Sequence, residues 1–154
     1  MEWQKMQTVQ KAQIAEDFIA DVLKQRKCVV YRTQGRHKVD FVVEKNGNWA
    51  FIDVKAKARR KYYADTGMDL ADWATYWQIQ ENTGIPVYIV FVDDYTKTCY
   101  FSSLDVLKQE ENGYPLVEEK RYIYFPLSKM QYLCSIPDYI VDALHAATNR
   151  KYTY

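Results

Sequence analysis

Three cysteines and two histidines are all that this chain of 154 residues offers toward thiolate or imidazole metal centres. Cys28, Cys99 and Cys134 lie far apart, are odd in number and form no C-x-x-C pair. That argues against a zinc ribbon or an iron–sulfur cluster and leaves them as reduced core thiols. Glycine (5) and proline (4) are few, and there is no repeat, low-complexity tract or linker. No apolar run approaches the length of a membrane span, and the start Met1-Glu2-Trp3-Gln4-Lys5 lacks the apolar stretch of a secretory signal. The expectation is a cytoplasmic protein with no membrane association. Net charge is also nearly absent, at +1.

That small net charge conceals an asymmetry. Residues 1–61 carry 14 Lys/Arg against 7 Asp/Glu, and residues 62–154 carry 7 against 13. A polyanion is drawn to the first half and not to the second. The length suits one domain (1–154), large enough to bury about two-thirds of its unfolded surface without disulfide staples. Tyrosine is abundant, with 14 copies; an aromatic with a polar tip fits half-buried strands and wet binding surfaces alike, so the count decides nothing.

Apolar residues at helical spacing (Val9, Ala12, Ala15, Phe18, Ile19, Val22, Leu23) predict an amphipathic helix over 7–26. Strands are predicted at 28–32, 38–44 and 49–55, then a helix at 69–82 ended by Gly84 and Pro86. Val87-Tyr88-Ile89-Val90-Phe91-Val92 reads as a central buried strand. A turn at 94–97 leads to a strand at 98–102, a loop marked by Glu110-Glu111-Asn112-Gly113, a short strand at 122–125 and a last helix at 138–147. This is an α/β order, with a core at about 7–104 and a C-terminal strand and helix extension at 105–154.

The most informative stretch is the hairpin around Asn46-Gly47, a pair suited to a two-residue turn with positive φ at both positions. Pairing across that turn sets Val39 against Val54, Phe41 against Ile52 and Val43 against Ala50. That apolar face needs a cover, which the first helix can supply. The other face pairs Asp40 with Asp53 and Lys38 with Lys55. Like charges directly opposite one another destabilise a sheet, and a solvated face would gain by matching Asp with Lys. Two carboxylates about 5 Å apart suit a divalent cation held between oxygen ligands. Lys55, two residues beyond Asp53, shares its face and is placed to meet a phosphate oxygen or the attacking water. Glu16 falls within the apolar arc of the first helix, where an ionised carboxylate is costly unless it is paired or near a cation.

Glu16, Asp40 and Asp53-Val54-Lys55, in that order and on those elements, resemble the signature of the PD-(D/E)XK nuclease superfamily. Over about residues 10–95 the pattern is most similar to archaeal-type Holliday junction resolvases. The resemblance implies a restriction-endonuclease-like core, a central mixed sheet flanked by helices. It implies that Asp40, Asp53 and the Val54 main-chain carbonyl hold Mg²⁺, with Mn²⁺ able to substitute. Lys55 would then position and activate water, and Glu16 would complete the metal site or orient Lys55. Val39 stands where the family name has proline, and Asp53 where many members have glutamate.

Arg36, His37, Lys38, Lys57, Arg59 and Arg60 flank these strands and are candidates for DNA phosphates. On the second helix Trp73, Tyr76, Trp77 and Gln80 share one face. The tryptophans read as core, while Gln80, or its rival Gln78, is a candidate to reach the site, as glutamines do in some relatives. His145 reads as structural. The expected activity is that of a Mg²⁺-dependent DNA endonuclease on branched DNA, in recombination or repair. Junction resolution would require two active sites and hence a two-fold dimer. The alternatives are a restriction-like or RNA endonuclease, or an inactive nucleic-acid-binding module on the same fold.

Overall fold

The Asn46-Gly47 turn adopts positive φ at both residues (54° and 80°), and its register fixes the sheet around it. In the computed structural model, which describes residues 3–34, 38–109, 117–119 and 121–149, β2 (Phe41–Lys45) pairs antiparallel with β3 (Asn48–Ala56). The partners are those the turn dictates, from Lys45 with Asn48 to Phe41 with Ile52. β1 (Val29–Arg32) joins the outer edge of β2. β3 then runs parallel to β5 (Val87–Asp93), which pairs antiparallel with β6 (Thr98–Ser103), and β6 with β9 (Gln131–Ser135). The result is a six-stranded mixed sheet in the order β1-β2-β3-β5-β6-β9.

A parallel pair cannot be joined by a tight turn. The crossover from β3 to β5 is made by β4 (Asp65–Asp69) and α2 (Leu70–Thr83). Asp69 caps α2, its Oδ1 accepting the Ala71 N–H at 2.9 Å, and Gly84 at φ 69° closes it. β4 belongs to a second sheet, β4-β8-β7, with β7 at Val117–Glu119 and β8 at Tyr122–Pro126. One face of the large sheet packs through Phe41, Val43, Ile52 and Val54 on α1 (Trp3–Gln25) and α4 (Asp138–Asn149). The other packs through Phe51, Ile89 and Phe91 on α2, the second sheet and the short α3 (Leu104–Lys108). The mixed sheet flanked by helices is the architecture expected.

Three expected pairings need correction. Val39 does not face Val54: the ladder stops at Phe41, the chain bends through 38–40, and Val39 is buried in the opposite core with Met68 and Tyr76. The Asp40–Asp53 and Lys38–Lys55 ladder pairs are therefore not formed, and Lys38 is exposed. β4, β7, β9 and α3 carry no element in the sequence reading. β9 forms the last strand of the central sheet, and α4 packs with α1 over one of its faces. The loop expected at Glu110–Gly113 lies outside the described residues.

Candidate active site

Asp53 and Lys55 alternate with Val54 along β3, so Val54 enters the α1-side core while the two charged residues point to the α2 side. Asp53 is only 5% exposed. Asp40 reaches it by a different route from a ladder pair. At the bend before β2 its N–H bonds the Ile52 carbonyl at 3.0 Å, and its Oδ2 accepts the Val54 N–H at 2.8 Å. The side chain thus takes the strand N–H that a continuing ladder would have taken. From α1, Glu16 brings its carboxyl against that of Asp40, which in turn meets Asp53. Glu16 of α1, Asp40 of the bend before β2, and Asp53 and Lys55 of β3 meet in one place.

Two more side chains enter from α2. Tyr76, buried, donates its hydroxyl to Asp53 Oδ2. Asp72 places Oδ2 2.8 Å from Lys55 Nζ, which is also 3.2 Å from Asp53 Oδ2 and 5.2 Å from the centre of the Tyr76 ring. The helical face containing Tyr76 is legible in the sequence, and a polar tip on an apolar face needs a partner. Asp72 is hidden there, because an acid in the first turn of a helix is already explained by the helix dipole.

The electrostatics follow from burial. Desolvation pushes Asp53 up to about 7; Lys55 opposes this, Asp40 adds to it, and Tyr76 opposes it. Desolvation likewise raises Asp40 to about 6, against the Val54 N–H and with the help of Glu16. Burial pulls the Lys55 ammonium down, but Asp53 and Asp72 outweigh it and the net shift is upward. The Tyr76 phenol is held far above its ordinary range by burial and by Asp53. Around neutral pH, Lys55 is therefore a charged donor and Tyr76 a neutral one, and neither is a base.

Of these groups Lys55 and Asp72 line an open cleft of about 630 Å³, walled by Lys11 and Ala12 of α1, Ala147 and Thr148 of α4, Gly67 of β4 and Tyr122 of β8. Lys57 projects into it over the rings of Tyr122 (4.6 Å) and Tyr124 (5.3 Å). Burial first, then Arg60 and Lys55, lower its pKa. Arg60 forms a two-pronged ion pair with Asp65, both bonds 2.7 Å, and stacks on Tyr124. The Arg59 guanidinium donates to the Arg60 and Tyr63 carbonyls at 3.1 Å. Both arginines hold the 57–64 loop to itself and to β8. Gln80 is likewise occupied away from the cleft, accepting the Val87 N–H at 2.9 Å and donating to Asp105 at 3.3 Å. Gln78 is exposed on α2. Trp73 and Trp77 lie against the α2-side core. His145 contacts Asp94 at 3.6 Å beside the Lys11–Asp94 pair at 3.2 Å, which ties α1 and α4 to the β5–β6 turn. Arg36 and His37 lie outside the described residues.

Among the described residues no three acidic, histidine or cysteine side chains form a ready-made metal cage. Magnesium asks for less: one or two carboxylates, with water and substrate phosphate completing its shell. Asp40 and Asp53 fit that demand. Their carboxyls meet each other, with Glu16 against Asp40, and a divalent cation that binds the ionised pair would displace the protons that burial favours there.

No family model matches the chain, and no curated protein does. Fourteen chains of solved structures match it. Among them is Hjc of Archaeoglobus fulgidus, a Holliday junction resolvase from an archaeal hyperthermophile. It is 13% identical with a TM-score of 0.58, over 77% of this chain and 86% of that one. At that identity the likeness is one of fold: the chain has an Hjc-like architecture. No helix among the described residues is long and apolar enough to cross a membrane.

Proposed function

We propose that the chain is a Mg²⁺-dependent DNA endonuclease of the PD-(D/E)XK type, with branched DNA as its favoured substrate and recombination or repair as its setting. The observation that carries this reading is a half-buried Asp40 and a buried Asp53 with their carboxyls together beside a charged Lys55, which lines an open cleft. Burial raises both acids, with Glu16 adding to the rise at Asp40 and Asp40 to that at Asp53; this costs stability, and a cation is what relieves it. Asp40 and Asp53, with the Val54 main-chain carbonyl, are the residues to hold Mg²⁺ or Mn²⁺. When bound, such an ion lowers the pKa of water and offsets charge on the phosphate.

The protein's own groups divide the remaining work. Val54 N–H fixes Asp40, Tyr76 fixes Asp53, and Glu16 holds Asp40 from the α1 side. The Lys55 ammonium, anchored by Asp53 and Asp72, donates to a phosphate oxygen and orients the attacking water. Because it stays protonated, it stabilises charge and leaves the water's proton to another acceptor. Fold likeness to a junction resolvase and the sequence resemblance support branched DNA, and a two-fold dimer follows if both strands of a junction are to be cut.

The test is cleavage of labelled linear duplex, single-stranded, flap and four-way-junction DNA with Mg²⁺, Mn²⁺ or EDTA. Metal-dependent cutting is expected, reduced roughly a hundredfold or more in Asp53→Asn and Lys55→Ala. Symmetric nicks confined to the junction would support resolution. Cutting that survives EDTA or both substitutions would overturn the reading, and so would DNA left intact under every condition.

A further inference from the structure

Of the three lysines that line the cleft, Lys11, Lys55 and Lys57, only Lys57 has no carboxylate partner among the described residues. Lys11 is paired with Asp94, and Lys55 with Asp53 and Asp72. Among the described residues no carboxylate lies within ion-pair distance of Lys57, although its side chain is half-buried. Its ammonium rests instead over two tyrosine rings, Tyr122 and Tyr124, themselves 6.4 Å apart on β8. A cation taken partly out of water without a counter-charge costs free energy, and the ring faces offset only part of it. The position is held from behind: the Lys57 N–H bonds the carbonyls of Lys55 (3.0 Å) and Val92 (3.1 Å), and Arg60 stacks on the far ring. It lies two residues beyond Lys55 and lines the same cleft.

Building on the nuclease reading, we propose that Lys57 on its tyrosine seat binds the phosphate next to the scissile one on the same strand. The site then spans two consecutive phosphates, Lys55 at the one that is cut and Lys57 at its neighbour. This makes turnover depend on the charge of one flanking phosphate as well as on the bond that is cut. The substrate is an internal stretch of polynucleotide, and a chain end or mononucleotide ester lacking the second phosphate is turned over poorly.

The test uses DNA with a single uncharged methylphosphonate linkage placed one step to either side of the mapped cut. In the wild type, one of the two placements is expected to raise KM roughly tenfold, the worth of one charge-assisted contact. Lys57→Met should show that rise on unmodified DNA and no further rise at the neutral linkage, whereas Lys57→Arg should behave like the wild type. Equilibrium binding gives a readout independent of cutting: the slope of log affinity against log salt should fall by about 0.9 in Lys57→Met. A full penalty at the neutral linkage in a folded Lys57→Met would overturn the proposal, as would an unchanged salt slope. If the wild type binds DNA but cuts none, the nuclease reading fails while the salt slope still judges Lys57; if it binds none, both fail.

Discussion

Tyr76 commits its hydroxyl to Asp53 while its ring lies under the Lys55 ammonium, so one side chain touches both charges on which the proposed chemistry depends. Tyr76→Phe keeps the ring and removes a donor that favours the ionised Asp53. The Asp53 pKa, already about 7, is expected to rise further, and the pH at which half-maximal cleavage is reached should move upward. Loss of the hydrogen bond should cost about 1 kcal/mol of stability by urea titration. A purely structural tyrosine would change the urea midpoint and leave the pH profile in place. Asp72→Asn acts from the other side: it removes a carboxylate that holds the Lys55 pKa up, so the alkaline limit of activity should move to lower pH with little change in stability. These two residues show where reading the sequence ends. Asp53 and Lys55 stand out because strand alternation puts them on one face, Asp40 because the turn register sets it opposite Asp53 in the sequence, and Glu16 because it interrupts an apolar arc. Tyr76 and Asp72 join them only through the crossover, whose path no local pattern specifies.

The same division between local and tertiary information holds for the elements. The hairpin, the central strand β5 and helices α1, α2 and α4 follow from turn chemistry and periodicity, and the register from Asn46-Gly47 is the one observed as far as Phe41. It fails one residue later because the Asp40 side chain takes the Val54 N–H, a competition that pairing rules do not include. β4 was illegible for another reason. Asp65-Thr66-Gly67-Met68 is buried on every side and so shows no alternation, and its glycine suggests a turn. In the structure Gly67 is a point of close backbone approach, and a β-carbon there would run into the Ile123 carbonyl of β8. Gly67→Ala is therefore expected to force β4 from β8 at a cost of about 3 kcal/mol, and to loosen the cleft wall that carries Tyr122. Thermal unfolding measures the first effect. The second should appear as weaker DNA binding at temperatures where the variant is still folded. The cap of α2 gives a milder contrast: Asp69→Ala should cost about 1 kcal/mol, because it loses one bond to a helix terminus and displaces no backbone.

For the molecule as a whole, the site is a stored instability, and its sign can be worked out. Asp40 and Asp53 titrate near 3.8 in the unfolded chain and near 6 and 7 in the folded one. The native state therefore holds more protons than the unfolded state between about pH 4 and pH 7. Stability must then fall as pH rises through that window and level off above it, the reverse of the usual salt-bridged carboxylate. A divalent cation binds the ionised pair and not the protonated one, so its stabilising effect should grow over the same window. Without added metal, the melting temperature is expected to drop on the order of 10 °C from pH 5 to pH 8, with Mg²⁺ or Mn²⁺ recovering most of the loss at pH 8 and almost none at pH 5. Asp53→Asn removes the group with the larger shift, so it should flatten the metal-free curve and abolish the recovery. A wild-type curve that rises from pH 5 to pH 8 would mean that the carboxyls are not desolvated as their burial implies. A falling curve that metal does not correct would separate the two halves of the site, leaving the strained acids in place but without the cation they are proposed to hold.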